Sequence, residues 1–210
     1  MAKLLYIEAS PRTGRSDSIA VAQAFLKAYR ESHPKDQIVA LNVFTADLPS
    51  FDGLAVQAKY TILHGHKHSQ EELVAWRRVE EVIAGFKSAD KYVMAVPMWN
   101  FGIPYRLKLY IDILVQPGYT FSYSPKEGYK GLLTGKRVFI VYARGGEYPV
   151  GTPGAAYDFQ KPYLQTILGF IGLTDVQSVI VEPTLQAPPD VLEAKKKDAI
   201  ARARQIAATF

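Results

Sequence analysis

Three short runs in this chain place ligand-holding residue types at informative spacing. The first, Ala9-Ser10-Pro11-Arg12-Thr13-Gly14-Arg15-Ser16-Asp17-Ser18, puts hydroxyls directly ahead of a helical pattern. Free N–H groups at a helix N-terminus carry roughly half a positive charge, and serine hydroxyls add donors, so this loop is a candidate phosphate cradle. It contains neither G-x-G-x-x-G nor G-x-x-x-x-G-K-[ST], which favours a terminal monophosphate over a dinucleotide or an NTP. The bland alternative is that Ser16 only caps the helix while Arg12 and Arg15 are solvated. The second run, Pro97-Met98-Trp99-Asn100-Phe101-Gly102-Ile103-Pro104, follows the apolar Tyr92–Val96. Met and aromatic side chains suit the face of a flat ring, and Asn100 with exposed backbone N–H groups could serve its polar edge; core residues and a turn are the alternative. The third, Ala143-Arg144-Gly145-Gly146, ends another apolar run. Paired glycines admit a ligand close to the backbone and present N–H groups to negative charge, or they serve only a turn.

Other clusters carry less. His64-Gly65-His66-Lys67-His68 has imidazoles at spacing two, yet no Asp or Cys accompanies them and a lysine sits among them, so a solvated loop is expected and no metal site. Lys195-Lys196-Lys197 reads as a solvated helix face. Trp76, Val79, Val82, Ile83 and Phe86 have the spacing of a helix packed on a core. Asp112 has no carboxylate partner in sequence, so no acid–base pair is implied. The chain lacks cysteine, which removes disulfides, thiolate nucleophiles, Fe–S clusters and Cys-ligated zinc. Twenty-five Lys plus Arg against twenty Asp plus Glu leave a net charge of +5 without a dense basic stripe, so nucleic acid is not an expected partner. The uncharged stretch Tyr92–Tyr105 is shorter than the roughly 20 residues a membrane span needs. The start of the chain lacks a secretory apolar region with a cleavage site, so a cytoplasmic location is expected.

The elements that must position the three runs alternate between β and α. Strands are predicted at about Lys3–Glu8, Gln37–Val43, Lys91–Pro97, Lys136–Ala143 and Asp175–Val181. Helices are predicted at about Ser16–Ser32, Gln70–Phe86, Pro104–Val115, Asp158–Gly169 and Asp190–Ala208. The last three strands are apolar on both alternating sets and are expected at or near the sheet centre. Right-handed crossovers then favour an α/β, flavodoxin-like doubly wound parallel sheet of five strands, order 2-1-3-4-5, with helices on both faces and residues 1–210 in one domain. The three runs follow the first, third and fourth strands, where ligands bind in such sheets. Two segments exceed a minimal version. Thr45–Ser69 reads as a long connection, and Pro117–Gly135 as a hairpin-like excursion with Tyr119, Phe121, Tyr123 and Tyr129. Pro104 is expected to open its helix at the first position.

Taken in this order, with Leu133-Thr134-Gly135-Lys136 before the fourth strand and Leu168–Asp175 before the fifth, the chain resembles the bacterial FMN-dependent NADH:quinone reductases and azoreductases along essentially its whole length. The resemblance implies FMN with its phosphate at Ser10, Ser16, Asp17 and Ser18, its isoalloxazine along Met98, Trp99, Asn100 and Phe101, and its pyrimidine edge beside Ala143, Arg144, Gly145 and Gly146. Trp99 stands where tyrosine is frequent and Ala143 where serine is frequent. It further implies a ping-pong transfer of two electrons from NADH or NADPH to quinones or azo compounds. The flavin N5 takes the hydride, so no side chain is named catalytic. Tyr119 and Phe121, with Thr45–Ser69, would wall the pocket, partly across a homodimer. A flavin-carrying electron shuttle is the alternative, disfavoured by the positive net charge and the extra pocket-building segments.

Overall fold

The computed structural model describes all 210 residues. Strands β1 (Lys3–Glu8), β2 (Gln37–Asn42), β3 (Lys91–Pro97), β6 (Arg137–Ala143) and β7 (Asp175–Val181) form one parallel sheet in the order β2-β1-β3-β6-β7. Between β3 and β6 the chain inserts β4 (Phe121–Ser124) and β5 (Gly128–Gly131), an antiparallel hairpin outside that sheet, within the Pro117–Gly135 segment where a hairpin-like excursion is expected.

Alternation along the strands builds two cores. Leu5, Ile7, Tyr92, Met94, Val96, Val138, Ile140 and Tyr142 face one side. They pack there against α3 (Gln70–Lys87), α4 (Tyr105–Leu114) and α5 (Lys161–Phe170). Leu4, Tyr6, Val93, Ala95, Phe139 and Val141 face the other, under α1 (Asp17–Ser32) and α6 (Pro189–Thr209). Each fully buried aliphatic side chain in these layers contributes about 1.5–3 kcal/mol. The helical stripe of Trp76, Val79, Ile83 and Phe86 is buried against the sheet, with Val82 at its border.

Four expectations are corrected. β7 is an edge strand with Asp175 and Gln177 partly or fully exposed, while β1 lies inside the sheet. Order in a parallel sheet is set by the crossovers, and only the C-terminal half of β7, Val179–Val181, is apolar enough to look central. The segment Thr45–Ser69 holds a further helix, α2 (Gly53–Leu63), capped by Asp52, whose carboxylate accepts from the N–H groups of Leu54 and Ala55. The helix predicted from Asp158 begins at Lys161, because the preceding Pro153–Tyr157 forms a 3-10 turn and Asp158 leaves it at φ −80° and ψ 86°, outside helical geometry. Pro104 precedes α4 as its N-cap, at φ −57° and ψ 141°. No helix is long and apolar enough to cross a membrane.

Candidate active site

At the C-terminal rim of the sheet, β1 gives way to Ser10 and then to a turn, Thr13–Arg15, that leads into α1. Residues 11–15 are exposed, yet Ser10, Ser16 and Ser18 are buried at 1%, 7% and 0%. The backbone bends sharply to achieve this, with Thr13 at φ +42°. Ser16 caps the helix weakly by accepting from the Ile19 N–H at 3.5 Å, and its hydroxyl lies 3.1 Å from that of Ser18. Ser10 only accepts, from the Arg12 N–H at 3.4 Å. Three buried hydroxyls thus share one O–H···O bond, which leaves two hydroxyl protons without a protein acceptor. The first N–H groups of α1 likewise have no intrahelical partner. This donor set fits a tetrahedral oxyanion. The Asp17 carboxylate does not oppose it freely, since Lys196 of α6 holds it at 3.0 Å; what Asp17 offers the cradle is its N–H.

The second loop is a two-residue turn. Trp99 and Gly102 exchange N–H···O bonds of 3.0 and 2.9 Å, and the central Asn100 and Phe101 sit at φ +47° and +68°. Both signs match a type I′ turn, which asparagine tolerates and phenylalanine resists, at about 1–2 kcal/mol for a residue with a β-carbon. Surrounding contacts hold it. The Phe159 N–H donates to the Phe101 carbonyl at 3.0 Å, and the Phe101 ring packs 5.1 Å from Tyr157. Trp99 leans on Phe44 at 5.6 Å and Tyr105 at 6.4 Å. The turn's own bonds use the N–H groups of Trp99 and Gly102; those of Asn100 and Phe101 make no hydrogen bond within the chain. Met98 is tied to the third loop, its N–H donating to the Ala143 carbonyl at 2.8 Å.

In that third loop Arg144 turns inward. Its guanidinium is 1% exposed and is spent on Gln160 (3.0 Å), Asp158 (2.9 Å) and Glu182 (3.3 Å). The expectation of Arg144 at the rim therefore holds only for its main chain. The carbonyls of Arg144 and Gly145 accept from Thr184 and Leu185, which aligns the loop after β7 alongside. A β-carbon on Gly145 would come within 3.0 Å of Leu185, and one on Gly146 within 3.3 Å of the Tyr148 hydroxyl, so the two glycines keep this wall thin. Behind it the buried Tyr142 hydroxyl has no partner, and burial pushes its pKa up.

A groove of about 620 Å³ opens beside the turn, lined by rings of Phe51, Trp99, Tyr105, Phe159 and Tyr163. On its floor Lys108 pairs with Asp112 at 2.7 Å, and burial raises the Tyr163 phenol to about 12. Of the residues expected to wall the pocket, Phe51 from Thr45–Ser69 is here. Tyr119 and Phe121 are not. The ten residues of α4 carry the chain about 15 Å from the rim before the hairpin starts. Tyr119 instead donates to Glu80 of α3 at 2.6 Å and accepts from the Trp76 indole at 3.2 Å, while Phe121 packs 4.7 Å from Phe170. His68 bonds the Ala58 carbonyl, and no three His, Asp or Glu side chains converge as metal ligands. Phe44, Tyr105, Tyr148, Phe159 and Gln160 are site neighbours that sequence reading missed. Only the alternating aromatics of 157–163 offered a signal.

Residues 2–207 match the family model described as flavodoxin-like fold. An FMN-dependent NADH:quinone oxidoreductase of Nitratidesulfovibrio vulgaris is 54% identical over 210 residues, all of both chains. One of Desulfotalea psychrophila is 45% identical over 209 residues, 98% of each. The crystal structure of azoreductase from Bacillus anthracis superposes with a TM-score of 0.92 at 32% identity, covering 100% of both chains. An FMN-dependent NADH-azoreductase from the same species, in complex with FMN, gives 0.87 at 31%, covering 99% of this chain and all of that one.

Proposed function

This chain belongs to the flavodoxin-like family that includes the FMN-dependent NADH:quinone oxidoreductases and azoreductases, and from that membership we propose how its own residues perform the reaction. It is an FMN-dependent NADH:quinone oxidoreductase with azoreductase activity. When bound, FMN would supply the two-electron redox chemistry between reduced nicotinamide and a quinone or an azo bond, the latter needing two rounds.

Ser10, Ser16 and Ser18, with the N–H of Asp17, hold the phosphate. The buried hydroxyl protons without acceptors are the observation that carries this assignment. Met98, Trp99, Asn100 and Phe101 support the ring, and the free N–H groups of Asn100 and Phe101 serve its polar edge. The main chain of Ala143–Gly146 would lie at the pyrimidine side, where the free N–H groups of Gly145 and Gly146 would favour added negative charge. The second proton of the quinol comes from solvent, so no side chain is assigned to carry it. The groove beside Trp99 and Phe159 receives donor and oxidant in turn.

The reading includes a homodimer, in which the hairpin bearing Tyr119 and Phe121 closes the groove of a second copy. Its support is the apolar surface one chain leaves open: Leu54, Tyr60, Ile62 and Leu63 on α2, and Tyr123 and Tyr129 on the hairpin. Dilution to monomer then lowers activity without releasing FMN; a fully active monomer contradicts it.

The direct test is spectroscopic. The purified protein is loaded with FMN, NADH is added anaerobically, and benzoquinone follows. Bleaching by NADH and recovery by the quinone are expected; absence of bleaching sinks the reductase assignment, and failure to retain FMN sinks the site.

A further inference from the structure

The segment leading into α5 touches both ring-facing loops. The Phe159 N–H holds the Phe101 carbonyl at 3.0 Å. Next to it the Gln160 side chain, 0% exposed, donates from Nε2 to the Val96 carbonyl at 3.1 Å and accepts at Oε1 from Arg144 Nε at 3.0 Å. Asp158 takes the same guanidinium at 2.9 Å through one oxygen, and its other oxygen accepts the N–H groups of Gln160 and Lys161. Gln160 occupies the N-cap of α5, yet its side chain makes no capping bond. A wholly buried amide that uses one end on the strand feeding the turn at 99–102 and the other on the residue preceding Gly145 is built to fix a distance. Beyond the β3–β6 ladder, which ends at Pro97 and Ala143, the one main-chain bond that continues across the gap is Met98 to Ala143.

We propose that Gln160, acting through Arg144 and Val96, is a positioning residue: it sets the separation between the Met98–Phe101 turn and the Gly145–Gly146 amides, and so the site's preference for reduced over oxidised FMN. The inference rests on FMN occupying the rim as assigned above. Donors aimed at charge that appears on reduction act only if they are held in place beforehand. Slack between the loops therefore weakens the hold on the reduced cofactor more than on the oxidised one.

The test uses Gln160→Met, which keeps the bulk and removes both bonds. Gln160→Asn, neutral and one methylene too short to reach both partners, serves as the milder variant should Met prevent folding. Ile83→Ala, a core truncation on α3, supplies a protein of lowered stability with the brace intact. Affinities for FMN and riboflavin are read by flavin fluorescence, the two-electron potential by redox titration, and Tm by thermal unfolding. The Gln160 variants should still bind oxidised FMN but lose on the order of tenfold in relative affinity for the reduced form, a potential lower by about 30 mV. Ile83→Ala should lower Tm and leave the potential alone. A lowered Tm with an unchanged potential in the Gln160 variants makes the amide purely structural and overturns the proposal. Failure of the unmutated protein to take up FMN overturns the site assignment and this inference together.

Discussion

Replacing Ser18 with alanine tests the phosphate cradle at its most enclosed point. Ser18 is wholly buried, and its hydroxyl lies 3.1 Å from that of Ser16, so the substitution removes one donor and frees another. In the free protein the loss is one neutral hydrogen bond, about 1 kcal/mol, partly offset by the better helix propensity of alanine. At about 2–4 °C per kcal/mol for a chain of this size, Tm should fall by a few degrees at most. Toward a phosphate the same hydroxyl makes a hydrogen bond to a charged group, about 1.5–3 kcal/mol. At about 1.4 kcal/mol per decade, the Kd for FMN should rise roughly 10- to 150-fold. Riboflavin has the ring and the ribityl chain but no phosphate, so its affinity should be retained. Fluorescence titration of both flavins against both proteins reads the difference directly. Equal weakening of FMN and riboflavin would mean a general loosening of the rim, and an unchanged FMN affinity would place the phosphate elsewhere; either refutes the cradle.

Gly131→Ala drives a β-carbon to within 2.2 Å of the Gly172 nitrogen, where β5 meets the turn before β7. Overpacking at about 1–3 kcal/mol, plus about 1 kcal/mol for the adjacent Leu133-to-Ile171 hydrogen bond, should lower Tm by roughly 5–15 °C; an unaltered melting curve contradicts the contact. The Tyr29 hydroxyl and then the Ala2 N–H, each at 2.6 Å, with Lys91 nearby, hold the Asp36 carboxyl below its usual range. A depressed folded pKa stabilises above the unfolded value, so the advantage of the wild type over Asp36→Asn should be level above about pH 4 and shrink as the pH falls below it. Urea unfolding across that range checks the sign, and an advantage that grows in acid would reverse it. Ala143→Ser adds a hydroxyl donor where the pyrimidine edge is proposed to lie and should raise the flavin potential, by about 30 mV if reduced FMN gains tenfold; an unmoved redox titration counts against Ala143 as a tuning position.

The sheet was legible because burial on both faces writes long apolar runs into β3 and β6, and turn-forming residues bound them on each side. The place of β7 at the edge follows from the crossovers and not from its composition, since its apolar Val179–Val181 looks the same whether or not another strand lies beyond it. Helix α2 left a readable sign in Asp52 ahead of Gly53, but Leu54, Tyr60, Ile62 and Leu63 remain exposed and spoil the one-sided pattern a surface helix should show. The serine loop announced itself through local chemistry, hydroxyls before a helix. The fate of Arg144 could not, because its partners Gln160, Asp158 and Glu182 lie 16, 14 and 38 residues away and meet only once the strands are ordered. Tyr119 and Phe121 lie away from the groove of their own chain, at a distance that helix length sets and composition does not.

The left-handed turn at Asn100 and Phe101 has a bearing on how this enzyme can diverge. Its two unused N–H groups belong to the main chain, which any sequence supplies, so the role proposed for them at the cofactor's polar edge survives exchange of the side chains that carry it. Positions 100 and 101 are then open to drift. A library varied there, sparing the β-branched types that such a conformation rejects, should stay yellow while its members part company over which oxidants they consume.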